Sequence, residues 1–238
     1  MAGFSIRMVA GFSLDINTIG IISFFAQYLL IFFVAVVVYI VAYDNADAIL
    51  DHALFDFIPS LIVTLIFVAL AKSYLAEDLG RLKAFGVKVI WVILIAYAAS
   101  FVVETGYHIL LERFGIDTLG PNQEAVEALA GQNIILSTIT LVVFAPVWEE
   151  IFWRGMVFGA LRNRSRVIAY AVSSLGFALM HTWLFMLFEF SSDLLPLTLI
   201  YLPSGLAFCW VFDKTKSLWA AIVLHSIMNA VAAVLISL

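Results

Sequence analysis

Residues 133–161, "NIILSTITLVVFAPVWEEIFWRGMVFGAL", are apolar almost throughout, yet they include Glu149, Glu150 and Arg154. A helix of this length would measure roughly 43 Å, which exceeds the hydrocarbon core of a typical bilayer. Charged side chains inside a membrane span are costly, and they usually face the interior of a helix bundle and serve a function. The stretch therefore predicts a membrane-spanning helix that carries part of a functional site.

The composition of the whole chain indicates an integral membrane protein. Of its 238 residues, 64% are hydrophobic and only 12% are charged, and the mean hydropathy is +1.10. Soluble domains contain about 25% charged residues. Cys209 is the only cysteine, which excludes an intramolecular disulfide and argues against a thiolate metal site. We expect one all-α membrane domain over residues 1–238, surrounded by the lipid bilayer, with no nucleic-acid partner.

Apolar runs predict a bundle of about seven membrane-spanning helices. A span needs roughly 20 apolar residues, and the runs lie at 20–43, 57–72, 85–110, 133–161, 167–188, 194–212 and 217–238. Pro146 removes a backbone hydrogen bond from the fourth span, so we expect a kink just before Glu149. Residues 120–131 are typical of a short amphipathic helix at the membrane surface.

The basic residues predict how these spans are oriented, because Lys and Arg concentrate in cytoplasmic loops. Ten of the twelve fall in the N-terminal segment and in alternate loops of this arrangement: Arg7, Lys72, Arg81, Lys83, Lys88, Arg162, Arg164, Arg166, Lys214 and Lys216. We therefore expect a multi-pass protein of the cell membrane, with its N-terminus in the cytoplasm and its C-terminus outside.

Three pairs of residues, each four positions apart, place polar groups on single helix faces: Glu150 with Arg154, Phe177 with His181, and His225 with Asn229. Counted from the loops, Glu149 lies roughly 20 Å and His181 roughly 22 Å along their helices, and His225 and Asn229 lie roughly 12 and 18 Å along theirs. Polar groups of three helices thus fall in one layer, which predicts a shared cavity. Glu104 and His108 are predicted to form a local hydrogen-bonded pair outside that site.

This set of residues is suited to the attack of water on a peptide carbonyl. Glu149 can take a proton from water as a general base while His181 orients that water. His225 and Asn229 are suited to stabilising the developing oxyanion, and Glu150 can pair with Arg154. A zinc site made of Glu149, His181 and His225 stays an open alternative, because it would leave a fourth position for water. The chain contains neither H-E-x-x-H nor G-x-S-x-G.

The motifs E-E-x-x-x-R (149–154), F-x-x-x-H (177–181) and H-x-x-x-N (225–229) resemble, in order and spacing, those of the CAAX-processing type II prenyl endopeptidases. That group includes bacterial abortive-infection-like proteins. The resemblance implies an intramembrane glutamate protease of a bacterium or archaeon. Its substrate would be a membrane-associated peptide or lipidated protein, such as a prenylated CAAX-type protein.

Within this resemblance, residues 133–238 carry the catalytic motifs and residues 1–132 form the variable N-terminal spans. Glu149 would be the general base, His181 would hold the water, and His225 and Asn229 would bind the oxyanion. Glu150, Arg154 and Phe177 would support them. No cofactor is required, although members of the family have also been described as metal-dependent.

Two other classes of protein share some of these features. A non-catalytic scaffold or bacteriocin-immunity-type protein could retain the motif residues as a polar core. A proton-coupled transporter could use Glu and His as a relay, but transporters of that kind show repeats with interrupted helices in both halves. Here the polar residues crowd into the C-terminal half.

Overall fold

A computed structural model describes residues 52–188 and 191–236. Over these residues the chain consists of helices joined by turns and short loops, without strands, and five helical segments are long and apolar enough to cross a membrane: Asp56–Phe85, Lys88–Arg113, Ile134–Arg162, Leu194–Thr215 and Leu218–Leu235. The predicted all-α, multi-pass membrane fold is confirmed. The first predicted span, 20–43, lies outside the described residues, so the total of seven spans and the orientation stay predictions.

The first described helix, α1 (His52–Phe85), is much longer than the predicted span 57–72. The predicted loop after residue 72 is helical because its residues pack against the start of the last helix. Asp78 is fully buried, and its Oδ2 accepts hydrogen bonds from Ser217 Oγ at 2.7 Å and from the backbone N–H of Trp219 at 3.1 Å. The indole of Trp219 donates to the carbonyl of Leu75.

Helix α2 (Lys88–Arg113) follows the turn at Gly86, whose positive φ of 65° favours glycine. The surface helix α3 (Pro121–Gln132) matches the predicted amphipathic helix at 120–131, and none of its residues is buried. It leads through Asn133, whose side chain caps the next helix by accepting from the N–H of Leu136.

Helix α4 (Ile134–Arg162) agrees closely with the predicted fourth span. Its interruption takes the form of two wider, π-helical segments, Thr140–Phe144 and Ile151–Phe158, on either side of Ala145–Glu150. Pro146 explains the first of them, because a proline lacks an N–H and its ring clashes with the preceding turn. π-Helical turns within α-helices are frequent at functional sites.

The fifth predicted span, 167–188, is wrong as a single helix. Helix α5 (Arg166–Met180) ends at a turn formed by His181 and Thr182, and the short helix α6 (Trp183–Phe188) follows. The His181 side chain bonds the carbonyl of Phe177, which a continuing helix would have used for the N–H of residue 181. Sequence periodicity does not reveal such competition by a side chain.

The last three helices are α7 (Leu194–Leu199), α8 (Leu202–Thr215) and α9 (Leu218–Ile236). Helix α8 is central, since it packs against α2, α5 and α9. Its Gly205 permits the close approach to α5, because a Cβ there would lie 3.2 Å from the backbone of Ser174. The core holds aromatic and aliphatic side chains of α4, α8 and α9, including Phe152, Phe158, Phe208, Phe212, Leu218 and Leu224.

Candidate active site

A fully buried ion pair lies at the centre of the site. Arg154 Nη1 donates to Glu150 Oε1 at 2.9 Å, as their spacing on α4 predicts, and neither side chain is exposed. The same oxygen, Glu150 Oε1, lies 3.0 Å from His225 Nδ1. Glu150 therefore joins α4 to α9 and fixes which edge of the His225 ring is directed at α4.

The guanidinium of Arg154 is also held by α8 and by two aromatic rings. Its Nη2 donates to the carbonyl of Gly205 at 3.0 Å. Its Cζ lies 4.5 Å from the ring centre of Phe177 and 4.9 Å from that of Phe208. Contacts of a cation with aromatic faces partly replace lost hydration, so this pocket can accommodate a charge within the membrane.

Phe177 connects the two histidines. Its ring centre lies 4.7 Å from that of His181 and 5.7 Å from that of His225. The backbone carbonyl of Phe177 is 2.8 Å from His181 Nδ1, and Phe208 stacks on His225 at 4.5 Å. The predicted residues Phe177, His181 and His225 thus come together around Arg154 and Glu150.

Asn229, on α9, reaches the interrupted part of α4. Its Nδ2 donates to the carbonyl of Leu141 at 2.8 Å. In the first π-helical segment the N–H of residue i bonds the carbonyl of residue i−5, as Ala145 does with Thr140. The next bond of this series would join residue 146 to Leu141, but Pro146 has no N–H. The Asn229 amide supplies the missing donor, and a second N–H remains on the same nitrogen.

Glu149 lies one residue before the buried pair and is itself only 7% exposed. Its Oε2 is buried without a hydrogen-bond partner, as are Glu150 Oε2 and Arg154 Nε. Within the described part of the chain, Glu149 forms no direct hydrogen bond with either histidine. Joint action of Glu149 and the histidines therefore requires a molecule between them.

The described residues do not present a ready group of metal ligands. Across residues 52–188 and 191–236, no three His, Cys, Asp or Glu side chains converge as a group that could hold a metal ion. The Nδ1 atoms of His181 and His225 are engaged by Phe177 and Glu150, so only their Nε2 atoms remain for another partner. The zinc site of Glu149, His181 and His225 stays a prediction, and no step below is routed through a metal.

The structure adds three residues that the sequence did not single out: Gly205, Phe208 and Tyr201. Tyr201 stacks on His181, with ring centres 4.2 Å apart and planes 16° apart. None of the three belongs to a spacing motif, and an aromatic residue in an apolar run is usually a packing residue.

The predicted hydrogen-bonded pair of Glu104 and His108 is wrong. Glu104 Oε1 accepts from Ser100 Oγ at 2.8 Å and from Ser204 Oγ at 2.6 Å. The hydroxyl on α8 is brought within reach by the packing of α2 against α8, which the spacing of residues along α2 could not reveal.

The fold and the site define a multi-pass helical membrane protein with a buried polar centre built from three sequence motifs. Residues 131–231 match the family model described as type II CAAX prenyl endopeptidase Rce1-like. The resemblance predicted from those motifs is thereby confirmed, and the similarity is to a family of membrane proteases.

Curated relatives are bacterial membrane-peptidase-like and UPF0177 proteins. The chain is 27% identical to "Putative membrane peptidase YdiL" of Bacillus subtilis (strain 168), over 73% of this chain and 66% of that protein. It is 30% identical to "UPF0177 protein in abiGi 5'region" of Lactococcus lactis subsp. cremoris, over 42% of this chain and 38% of that protein.

A third relative is "UPF0177 protein YxdF" of Lactococcus lactis subsp. lactis (strain IL1403), which is 28% identical over 71% of this chain and 89% of that protein. The chain thus spans less than two thirds of the length of the first two relatives. No solved structure matches.

Proposed function

We propose that the protein is an intramembrane endopeptidase that hydrolyses a peptide bond of a membrane-associated substrate with water activated by Glu149. The observation that carries this proposal is the buried Glu149 Oε2, which has no partner among the described residues. Buried polar atoms of this kind are normally satisfied by water or a ligand. A carboxylate beside a held water molecule is the arrangement required of a general base.

In the proposed reaction, Glu149 takes a proton from water as the oxygen of that water bonds the substrate carbonyl carbon. The carbonyl oxygen becomes an oxyanion. When the C–N bond breaks, the proton passes from Glu149 to the leaving amine, so the carboxylate is regenerated. The Phe177 carbonyl holds the Nδ1 side of His181, and the Nε2 side of its ring is directed away from that bond and can orient the water.

His225 and Asn229 are proposed to stabilise the oxyanion. Since His225 Nδ1 faces Glu150, donation to an oxyanion must come from Nε2. A ring that donates through both nitrogens is a cation, and the Glu150 carboxylate, which it would share with Arg154, lies 3.0 Å from its Nδ1. Asn229 would donate through the N–H that does not bind Leu141.

The proposed substrate is a protein or peptide anchored in the same bilayer. The family description names prenyl endopeptidases, so a prenylated CAAX-type substrate is the first candidate. We further propose a location in the cell membrane, with the N-terminus in the cytoplasm.

The test is cleavage of a panel of quenched fluorescent peptides, with and without a prenyl group, by the purified protein in detergent. Glu149→Gln, which keeps the shape but not the base, should abolish cleavage while thermal unfolding stays near that of the unmodified protein. Glu112→Gln removes an exposed glutamate of α2 and serves as the matched control. Equal cleavage by Glu149→Gln and the control would refute the role of Glu149, whereas no cleavage by the unmodified protein would favour a non-catalytic membrane scaffold. Adding a chelator in the same assay tests the zinc alternative.

A further inference from the structure

Tyr201 lies in the turn between α7 and α8, directly against the histidine proposed to hold the water. Its ring covers one face of His181 in a nearly parallel stack at 4.2 Å, and the tilted ring of Phe177 lies 4.7 Å from the same imidazole. The Nδ1 contact with the Phe177 carbonyl holds one edge of the imidazole, and no hydrogen bond among the described residues holds its Nε2 edge. The Tyr201 stack limits tilting of the ring and so helps to fix where Nε2 points.

The hydroxyl of Tyr201 is in turn held by the surface helix α3. Asn122, in the first turn of α3, donates from Nδ2 to Tyr201 Oη at 3.2 Å. Helix α3 packs on α1 and on the beginning of α4 but buries none of its own residues. Helices with few buried contacts are the ones that move at low energetic cost.

We propose that Tyr201 is a positioning residue for His181, and that Asn122 makes this positioning depend on the docking of α3. The inference rests on the proposed function and extends it. Displacement of α3, by a substrate or by the bilayer surface, changes the orientation of the imidazole through Tyr201. The chain Asn122, Tyr201, His181 thus connects the membrane surface with the site.

Steady-state kinetics on the peptide cleaved best by the unmodified protein tests this link. Tyr201→Leu should lower kcat about 10–100-fold, because misplaced catalytic groups cost that much, with KM within about 2-fold. Tyr201→Phe keeps the ring and loses the hydroxyl, so kcat should fall about 2–10-fold, the value of one hydrogen bond. Asn122→Ala should have the same effect, and the double variant Asn122→Ala/Tyr201→Phe should be no worse than either single variant.

Tyr97→Leu is the matched control, because Tyr97 of α2 also stacks on a ring, that of Phe101, away from the site. It should leave kcat unchanged. A wild-type kcat in Tyr201→Leu would overturn the proposal. So would an equal decrease of kcat in Tyr97→Leu and Tyr201→Leu that parallels an equal decrease in their thermal stability. Additive effects of Asn122→Ala and Tyr201→Phe would overturn the role of Asn122.

A second measurement does not depend on catalysis. The chain has four histidines, so histidine-selective isotope labelling gives few NMR signals, and His181→Gln identifies the one required. The ring current of Tyr201 should displace the His181 ring-proton resonance, and Tyr201→Leu should remove that displacement. Asn122→Ala should shift the resonance in the same direction. Unchanged resonances would overturn the proposed link between Asn122, Tyr201 and His181. Absence of peptide cleavage by the unmodified protein would refute only the proposed function.

Discussion

Arg154 is the residue on which most of the site's contacts converge. It pairs with Glu150, donates to the carbonyl of Gly205 and lies against Phe177 and Phe208. A buried pair of this kind adds little stability over an apolar alternative, but removing one partner leaves an uncompensated charge. The pair therefore fixes the arrangement of α4, α8 and α9, and its loss should disturb the fold before it disturbs the chemistry.

Arg154→Leu should accordingly lower the free energy of unfolding by about 3–5 kcal/mol, because Glu150 is left charged and buried. Chemical unfolding in detergent micelles measures the change. Arg113→Leu, which removes an exposed arginine at the end of α2, should change the stability by less than about 0.5 kcal/mol. Similar losses in both variants would contradict the role of Arg154 as the anchor of the site.

Among the elements, α4 is the one whose regular hydrogen bonding is broken where the site requires it. Pro146 leaves the Leu141 carbonyl without its backbone donor, and Asn229 of α9 replaces that donor. Asn229, which is predicted to bind the oxyanion, therefore also holds the interrupted helix α4. Its removal would lower activity both by loss of an oxyanion donor and by loss of support for α4.

A double-mutant cycle separates these causes. Asn229→Leu should cost about 1–3 kcal/mol of stability, because the Leu141 carbonyl loses its partner. In a Pro146→Ala background, the new N–H can bond the carbonyls of the preceding turn, so the cost should fall, with a coupling of about 0.5–3 kcal/mol. Pro203→Ala, at the start of α8, is the control background and should show no coupling. An unchanged cost in both backgrounds would show that Asn229 does not compensate for Pro146.

The contact of α8 with α5 depends on the absence of a side chain at residue 205. A Cβ at Gly205 would lie 3.2 Å from Ser174 Cα and Ser174 O, so Gly205→Ala should push the two helices apart. It would also move the carbonyl that binds Arg154. We expect a loss of about 1–3 kcal/mol, as in other overpacked cores. Gly106→Ala, in α2 with nothing within 4 Å of the added Cβ, should stabilise the protein by about 0.5–1 kcal/mol. A neutral or stabilising Gly205→Ala would contradict this account of the packing.

For the whole molecule, the charged residues at the helix ends predict which ends face the cytoplasm. One end carries a cluster in which Asp213 binds Arg162 at 3.0 Å, Lys216 at 2.7 Å and also Arg166. The turn between α6 and α7 at the other end of α5 exposes Ser192 and Asp193. A concentration of basic groups at one end predicts that this end is cytoplasmic.

Labelling of cysteines in intact cells checks this orientation. The native Cys209 is fully buried, so the unmodified protein should not react with a membrane-impermeant maleimide. Ser192→Cys should react in intact cells, whereas Arg164→Cys should react only after the cells are permeabilised. The reverse pattern would refute the predicted orientation.

The limits of prediction differ between fold and site. The apolar runs located α4, α9 and the segment Leu194–Thr215, which contains α7 and α8, closely, because a span must be long and apolar whatever it packs against. They failed at α1, whose polar end is held in the core by Ser217 and Trp219, and at α5, which His181 ends. In both cases a side-chain contact with a distant or neighbouring residue outweighed the local pattern.

The sequence by itself determined that this chain is a helical membrane protein and that six polar residues form three spacing motifs, because burial in lipid and the helical repeat act on local sequence. Apart from the Glu150–Arg154 pair, which their spacing predicts, only the tertiary structure decided what those residues touch. Glu150 binds His225 from α9, Asn229 replaces the donor that Pro146 lacks, and Tyr201 stacks on His181. These contacts join residues far apart in the chain, and their distances follow from the packing of whole helices. The spacing of residues within one helix does not predict that packing.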